Sequence, residues 1–144
     1  MSNLGRAIEI AATAHAGQFD KGGKPYILHP LWVMNKVRHL GEHYMIVAVL
    51  HDVVEDNPNW TIDRLIDEEF DQEVIVALTR LTHIKGVSYE DYIYQIALNP
   101  IAKEVKLRDL EHNTKVTRLK GLRTKDYDRI QKYHVAYTYL KNAV

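Results

Sequence analysis

The stretch Ala48-Val49-Leu50-His51-Asp52-Val53-Val54-Glu55-Asp56-Asn57 (48–57) decides how this chain is to be read. It prolongs an apolar run from Tyr44 to Leu50 and then sets three carboxylates and a histidine within six residues. A run apolar on every side belongs in a core. A carboxylate taken out of water costs several kcal/mol unless something neutralises it. The neutralising charge has to come from another part of the chain or from a ligand.

Outward from this stretch the sequence repeats at helical period. Leu4, Ala7, Ile8, Ala11 and Ala14/His15 form one stripe that Gly17 stops. QFDKGGKPY (18–26) is a Gly/Pro-rich loop. His29-Pro30 opens a second helix, with Pro in its favoured first turn, and Gly41 closes it. A third helix is predicted from Glu42 to Asp56, ending before Pro58. Thr61 and Asp71 are N-cap candidates for two short helices, and Ser88-Tyr89-Glu90-Asp91 resembles a capping box. Asn99-Pro100 starts a helix reaching towards Gly121, and a last one runs from Thr124 to Asn142. With no strand pattern and no repeat, the expected fold is all-α: a single domain over 1–144, a bundle of seven to eight short helices.

Composition narrows the function. The chain has 144 residues, enough for one core, and a formal net charge of zero, which argues against a dedicated nucleic-acid binder. No apolar run approaches membrane-spanning length, so no membrane partner is expected. The absence of cysteine rules out disulfides and thiolate metal sites. With no signal-peptide layout at MSNLGRAIEI, the expected compartment is the cytoplasm. The charges are segregated: residues 51–73 carry nine acids against one Arg, and residues 101–132 carry ten Lys/Arg against five acids. Solvated helix faces account for most such blocks, but a basic wall facing an acidic site also suits a phosphorylated ligand bound to a metal.

On a helix His51, Asp52, Glu55 and Asp56 fall within one turn. A helix end fraying into solvent, its acids merely exposed, is the plain alternative for the stretch 48–57 taken alone. In the segment around VKLRDLEHN (105–113) the apolar stripe Ile101/Ala102, Val105, His112, Val116, Leu119 is interrupted at Asp109, where Leu or Ile belongs. A buried Arg or backbone donors would answer that carboxylate in the ordinary way. His29 sits at the loop-to-helix junction PYILHP. Two imidazoles and two carboxylates from three helices, His29, His51, Asp52 and Asp109, make a ligand set for one divalent cation. Sulfur-free His/carboxylate ligation favours Mn²⁺, Fe²⁺, Zn²⁺ or Co²⁺ over soft metals.

AHAGQFDKGGKPYILHP (14–30), HDVVED (51–56) and VKLRDLEHN (105–113), in this order and spacing, resemble the HD-domain phosphohydrolases, above all the hydrolase domain of RelA/SpoT enzymes and the small alarmone hydrolases. The resemblance implies that His29, His51, Asp52 and Asp109 bind Mn²⁺ and that Glu55 and Asp56 flank the attacking water. It implies that Lys21 contacts phosphate, that Asn113 helps hold the substrate near the metal, and that Arg129 and Tyr133 in RIQKYH contact the nucleotide's phosphates. His15 and His112 match family positions and read as packing and supporting groups. The implied substrate is a purine nucleotide polyphosphate such as ppGpp, or ppApp, losing its 3′-pyrophosphate. The chain as read carries no synthetic module, so degradation is the expected activity.

One position departs from the pattern. After H-x-G-Q the subfamily has x-Arg-Lys, its Arg stacking on the base; here Phe19-Asp20-Lys21 stands instead. Phe19 is available as a replacement surface, and the identity of the base stays open. Rival readings are a 5′-nucleotidase or NADPH 2′-phosphatase on the same scaffold, and a non-catalytic nucleotide sensor. Oligomeric state is not legible in the sequence.

Overall fold

A computed structural model describes residues 3–143. The helices are α1 (Leu4–Ala14), α2 (Leu28–Lys36), α3 (Glu42–Leu50), α4 (Val53–Asp56), α5 (Ile62–Asp67), α6 (Gln72–Leu81), α7 (Tyr89–Ala97), α8 (Pro100–Asn113) and α9 (Thr124–Asn142). Short 3₁₀ turns lie at Arg38–Leu40 and Val116–Arg118. Among the described residues there is no sheet, only one isolated bridge between Phe19 and Pro25. The all-α expectation holds. No described helix is long and apolar enough to cross a membrane.

α3 is the axis of the bundle. Ile46, Val47, Ala48, Val49 and Leu50 are all buried, so the helix is covered on every side, with α1, α2, α6 and α8 packed around it. Ala7 and Ala11 on α1 are fully buried, and their small side chains let that helix lie close. Side chains that take up orphan amides start the helices: Asn3 accepts from the Arg6 N–H, Thr61 from Arg64, Ser88 from Asp91 and Asn99 from Ala102. Asp71 departs from its expected capping role. It occupies the N-cap position, but its carboxylate is drawn to His43 Nε2 at 2.8 Å and caps nothing.

Three helix boundaries differ from the sequence reading. α2 ends at Lys36, and the 3₁₀ turn Arg38–Leu40 stands between it and Gly41. The helix expected over 42–56 breaks into α3 and α4 at His51-Asp52. His51 Nδ1 donates to the Ala48 carbonyl at 2.5 Å, engaging the acceptor that the Asp52 amide would use in a continuous helix. α8 stops at Asn113 and does not run towards Gly121. Its last carbonyls are taken by backbone and side chains together. The Thr114 N–H donates to Leu110 O and the Lys115 N–H to His112 O, while Thr114 Oγ1 donates to Glu111 O and Arg118 Nη1 to His112 O. Thr114, Val116 and Thr117, β-branched and stiff, favour leaving the helix there. Val116, assigned to the buried stripe from sequence, is exposed in the 3₁₀ turn.

Candidate metal centre and adjoining cavity

His29 enters from the start of α2, His51 and Asp52 from the break between α3 and α4, and Asp109 from the buried side of α8. One ligand atom from each lies within 4.8 Å of the others. His29 Nε2 is 2.8 Å from Asp109 Oδ1 and 3.7 Å from Asp52 Oδ2. His51 Nε2 is 3.1 Å from each of those carboxylate oxygens. The α3 break is thus part of the site, turning Asp52 back beside His51.

The surroundings prepare the ring nitrogens as ligands. His51 gives its Nδ1 proton to the Ala48 carbonyl, so in the neutral ring Nε2 carries the free electron pair. His29 Nδ1 lies 2.8 Å from His112 Nδ1 at the ring edge, and the face of His112 is stacked on Trp32. Burial, then the neighbouring Arg118, push His112 down to about 3, so it stays neutral and offers an acceptor. A proton on His29 Nδ1 shared with His112 leaves His29 Nε2 free.

Burial opposes charge on Asp52, but the His51 imidazole outweighs it and holds the carboxyl down at about 2. Asp109 is held well below the usual range against its burial, first by Lys106 and then by the two histidines. His51 is held well above its ordinary value against its burial, chiefly by Asp52. The pocket therefore attracts positive charge. The donor set is nitrogen and oxygen only, converges from three segments and has its outer atoms engaged, so it fits a divalent cation.

Asp109 has a partner that the sequence reading did not assign to it. Lys106 Nζ, one turn back on α8, donates to Asp109 Oδ2 at 2.9 Å and is itself buried. Asn113 Nδ2 donates to Oδ1 at 3.1 Å. A cation is not the sole compensation for Asp109.

Glu55 and Asp56 lie at the mouth of the cluster. Both side chains reach solvent, yet the surrounding protein desolvates them enough to push both carboxyls above their ordinary values. Glu55 Oε1 accepts the His83 backbone N–H at 2.5 Å. Asp56 Oδ2 accepts from Gln18 Nε2 at 3.0 Å, and Gln18 Oε1 in turn accepts from His15 Nδ1 at 2.8 Å. Tyr26 donates its hydroxyl to Asp52 Oδ2 at 2.5 Å. Gln18 and Tyr26 stand inside H-x-G-Q and K-P-Y-I-x-H-P, so the signal for them was present in the sequence. The His83 amide, 28 residues from Glu55, had none.

A cavity of about 310 Å³ adjoins the cluster, joined to it by Tyr26 and Asn113. Lys21, Asn113, Arg129 and Tyr133, singled out from sequence, all line it. Burial and the neighbouring Arg129 push Lys21 below its ordinary value, a sign of crowded cations. Arg129 is steadied by Asp126 at 3.0 Å. Arg118 and Lys115, unassigned by the sequence reading, line the same wall. This neighbourhood suits a polyanion held beside a metal.

A buried histidine–aspartate quartet whose paired His51-Asp52 sits at a helix break, within an all-α bundle, defines a class: the family model of the HD domain matches residues 7–125, and the chain belongs to that family. Within it the chain is related to the RelA/SpoT (p)ppGpp hydrolases. It is 36% identical over 120 residues to the guanosine-3′,5′-bis(diphosphate) 3′-pyrophosphohydrolase of Aquifex aeolicus, covering 76% of this chain and 17% of that protein. It is 40% identical over 81 residues to the protein of the same name from Haemophilus influenzae, covering 53% of this chain and 12% of the relative. A probable GTP pyrophosphokinase from Mycobacterium leprae is 34% identical over 129 residues, 82% of this chain and 16% of the relative. The chain thus spans less than a fifth of the length of these three relatives. A solved structure described as a metazoan ortholog of SpoT that hydrolyzes ppGpp superposes with a TM-score of 0.77 at 20% identity, covering 99% of this chain and 88% of that one, which bears out the fold.

Proposed function

We propose that this chain hydrolyses the 3′-pyrophosphate of an alarmone nucleotide, ppGpp + H₂O → GDP + PPi, with a divalent metal, Mn²⁺, held by His29, His51, Asp52 and Asp109. The observation that carries the reading is the convergence of these four ligands within 4.8 Å beside a cavity lined by cations. The curated relatives named as 3′-pyrophosphohydrolases supply the substrate class. Bound there, a divalent ion supplies Lewis-acid chemistry, lowering the pKa of water and polarising a phosphoryl oxygen.

The side chains do the rest. Glu55 takes the proton of the attacking water; its burial-raised carboxyl suits a base working closer to neutrality than a free glutamate. Asp56, steadied by Gln18, orients that water. Asn113 ties the nucleotide pocket to the metal ligand Asp109. Lys21, Arg129 and Tyr133 hold the phosphates and offset the charge that builds on the leaving diphosphate.

The test is incubation of the protein and Mn²⁺ with ppGpp, ppApp and a panel of nucleoside monophosphates, with products separated by chromatography. Pyrophosphate and a nucleoside 5′-diphosphate are expected from the alarmones. Orthophosphate from a monophosphate, with both alarmones intact, would replace this reading with a phosphatase on the same scaffold. Ligand binding without turnover of any substrate would make the chain a sensor.

A further inference from the structure

We propose that Arg118 reads the nucleotide base as a two-pronged donor to the O6 and N7 acceptors of guanine, with Asp20 positioning its guanidinium and Phe19 as the stacking surface. The inference rests on the nucleotide reading above and narrows its substrate to a guanine nucleotide.

Asp20 does not face the cavity as a free acid. Its Oδ1 accepts the Gly22 and Lys24 amides, each at 2.9 Å, and so folds the 20–24 turn. Its Oδ2 accepts from Arg118 Nη2 at 3.3 Å, across 98 residues of sequence. Arg118 Nη1 donates to His112 O at 3.1 Å and Asn113 Oδ1 at 3.3 Å. The guanidinium is thereby clamped between the loop and the end of α8, one side chain removed from the metal ligand Asp109 through Asn113. The two backbones also meet: a Cβ on Gly22 would lie 2.3 Å from the Arg118 carbonyl oxygen, so only glycine fits. Asp20 and Gly22 are built to receive the turn that carries Arg118.

What remains of Arg118 decides its role. Nη1 donates to two acceptors and Nη2 to one, which leaves Nε–H and one Nη2–H without a partner among the described residues. With Asp20 on the Nη1 side of Nη2, these two form the fork offered to the base. A phosphate there would meet the charge of Asp20 across the guanidinium. A neutral pair of acceptors would not. Guanine presents such a pair in O6 and N7, whereas adenine turns an N6–H₂ donor towards the same fork. The wall's other cations, Lys21 and Arg129 among them, stay available for phosphates.

Phe19 supplies the second observation. It lines the same cavity and is 64% exposed. Its backbone is fixed by the bridge to Pro25, with Tyr26 N donating to Gln18 O and Asp20 N to Lys24 O, each at 2.8 Å. A rigidly mounted open aromatic at the rim of a nucleotide cavity is a platform for a base, worth about 1–3 kcal/mol of stacking per base.

The test compares wild type with Arg118→Ala, Arg118→Lys and Asp20→Asn, scoring kcat/KM for ppGpp against ppApp, and calorimetric affinity for GDP against ADP. Wild type should favour guanine in both ratios. Arg118→Ala should lower each ratio about ten- to a hundredfold, the worth of one bidentate base contact. Arg118→Lys keeps the charge and loses the fork, so it should discriminate as poorly as Ala; restoration by Lys would make Arg118 a phosphate contact and overturn the proposal. Asp20→Asn should fall between. Equal loss for guanine and adenine ligands in Arg118→Ala would also overturn it. Failure to hydrolyse either alarmone would defeat the proposed activity alone, because the GDP/ADP ratio still decides the base reading. Should Arg118→Ala not fold, the Lys variant carries the comparison.

Discussion

His29 and His112 meet edge to edge, their rings within 3° of parallel and 5.0 Å apart between centres, with the two Nδ1 atoms separated by 2.8 Å. One hydrogen fits in that gap. When His29 supplies it, the opposite nitrogen is bare and points at Asp109 and Asp52. The ligand's protonation is set one ring away from the site.

Replacing His112 by Phe keeps a ring against Trp32 but removes the acceptor. Mn²⁺ affinity measured by calorimetry should fall about 10–100-fold, the usual consequence of losing a ligand's outer partner. An unchanged affinity would reduce His112 to packing.

Glu55→Gln should retain the metal and lower kcat by about 10²–10⁴-fold. Burial, only partly offset by the His83 amide, raises the Glu55 carboxyl above its ordinary 4.5. A base works when ionised, so activity should be lost as pH falls through a value above 4.5, and a pH–rate profile of the wild type should place its acid limb there. A limb at or below 4.5 would remove Glu55 from proton transfer.

Lys106→Met leaves Asp109 Oδ2 without its partner inside the protein. Breaking a buried pair by removing one member costs about 3–5 kcal/mol, so the metal-free variant should unfold at markedly lower urea concentration. Mn²⁺ should stabilise the variant more than it stabilises wild type, since it then meets the less compensated carboxylate.

Leu50 is fully buried and immediately precedes the ligand pair. Leu50→Ala should cost about 2–5 kcal/mol in denaturant unfolding. A loss well below 1 kcal/mol would mean that α3 is not the axis of the core.

These positions also show how far the sequence carries. Asp109 was legible because it interrupts an apolar stripe and His51-Asp52 because it ends an apolar run, and Asp109 and His51 are buried in the structure. His29 by itself carries no such signal and joined the set only in company with them. The helix break at His51 was not legible, since it depends on an imidazole competing for the Ala48 carbonyl, and periodicity carries no sign of that. α8 was extended too far because Val116 and Leu119 kept the helical spacing while the end was set by Arg118 and Thr114 side chains. Lys21, Asn113, Arg129 and Tyr133 came from family resemblance and do share one cavity. Arg118, 98 residues from Asp20, had no local signal at all. Pairings across the fold stay hidden in a single sequence when neither partner is anomalous where it stands.

The central claim is that one cation joins three helical segments through His29, His51, Asp52 and Asp109. It is tested most directly by calorimetric titration of Mn²⁺ into chelator-stripped protein, alongside Asp109→Asn. The account predicts saturation at one equivalent for the wild type and at least about a hundredfold weaker binding for the variant, with a metal-dependent rise in melting temperature confined to the wild type at low metal. Non-saturable binding, or equal affinity in the two proteins, would contradict it.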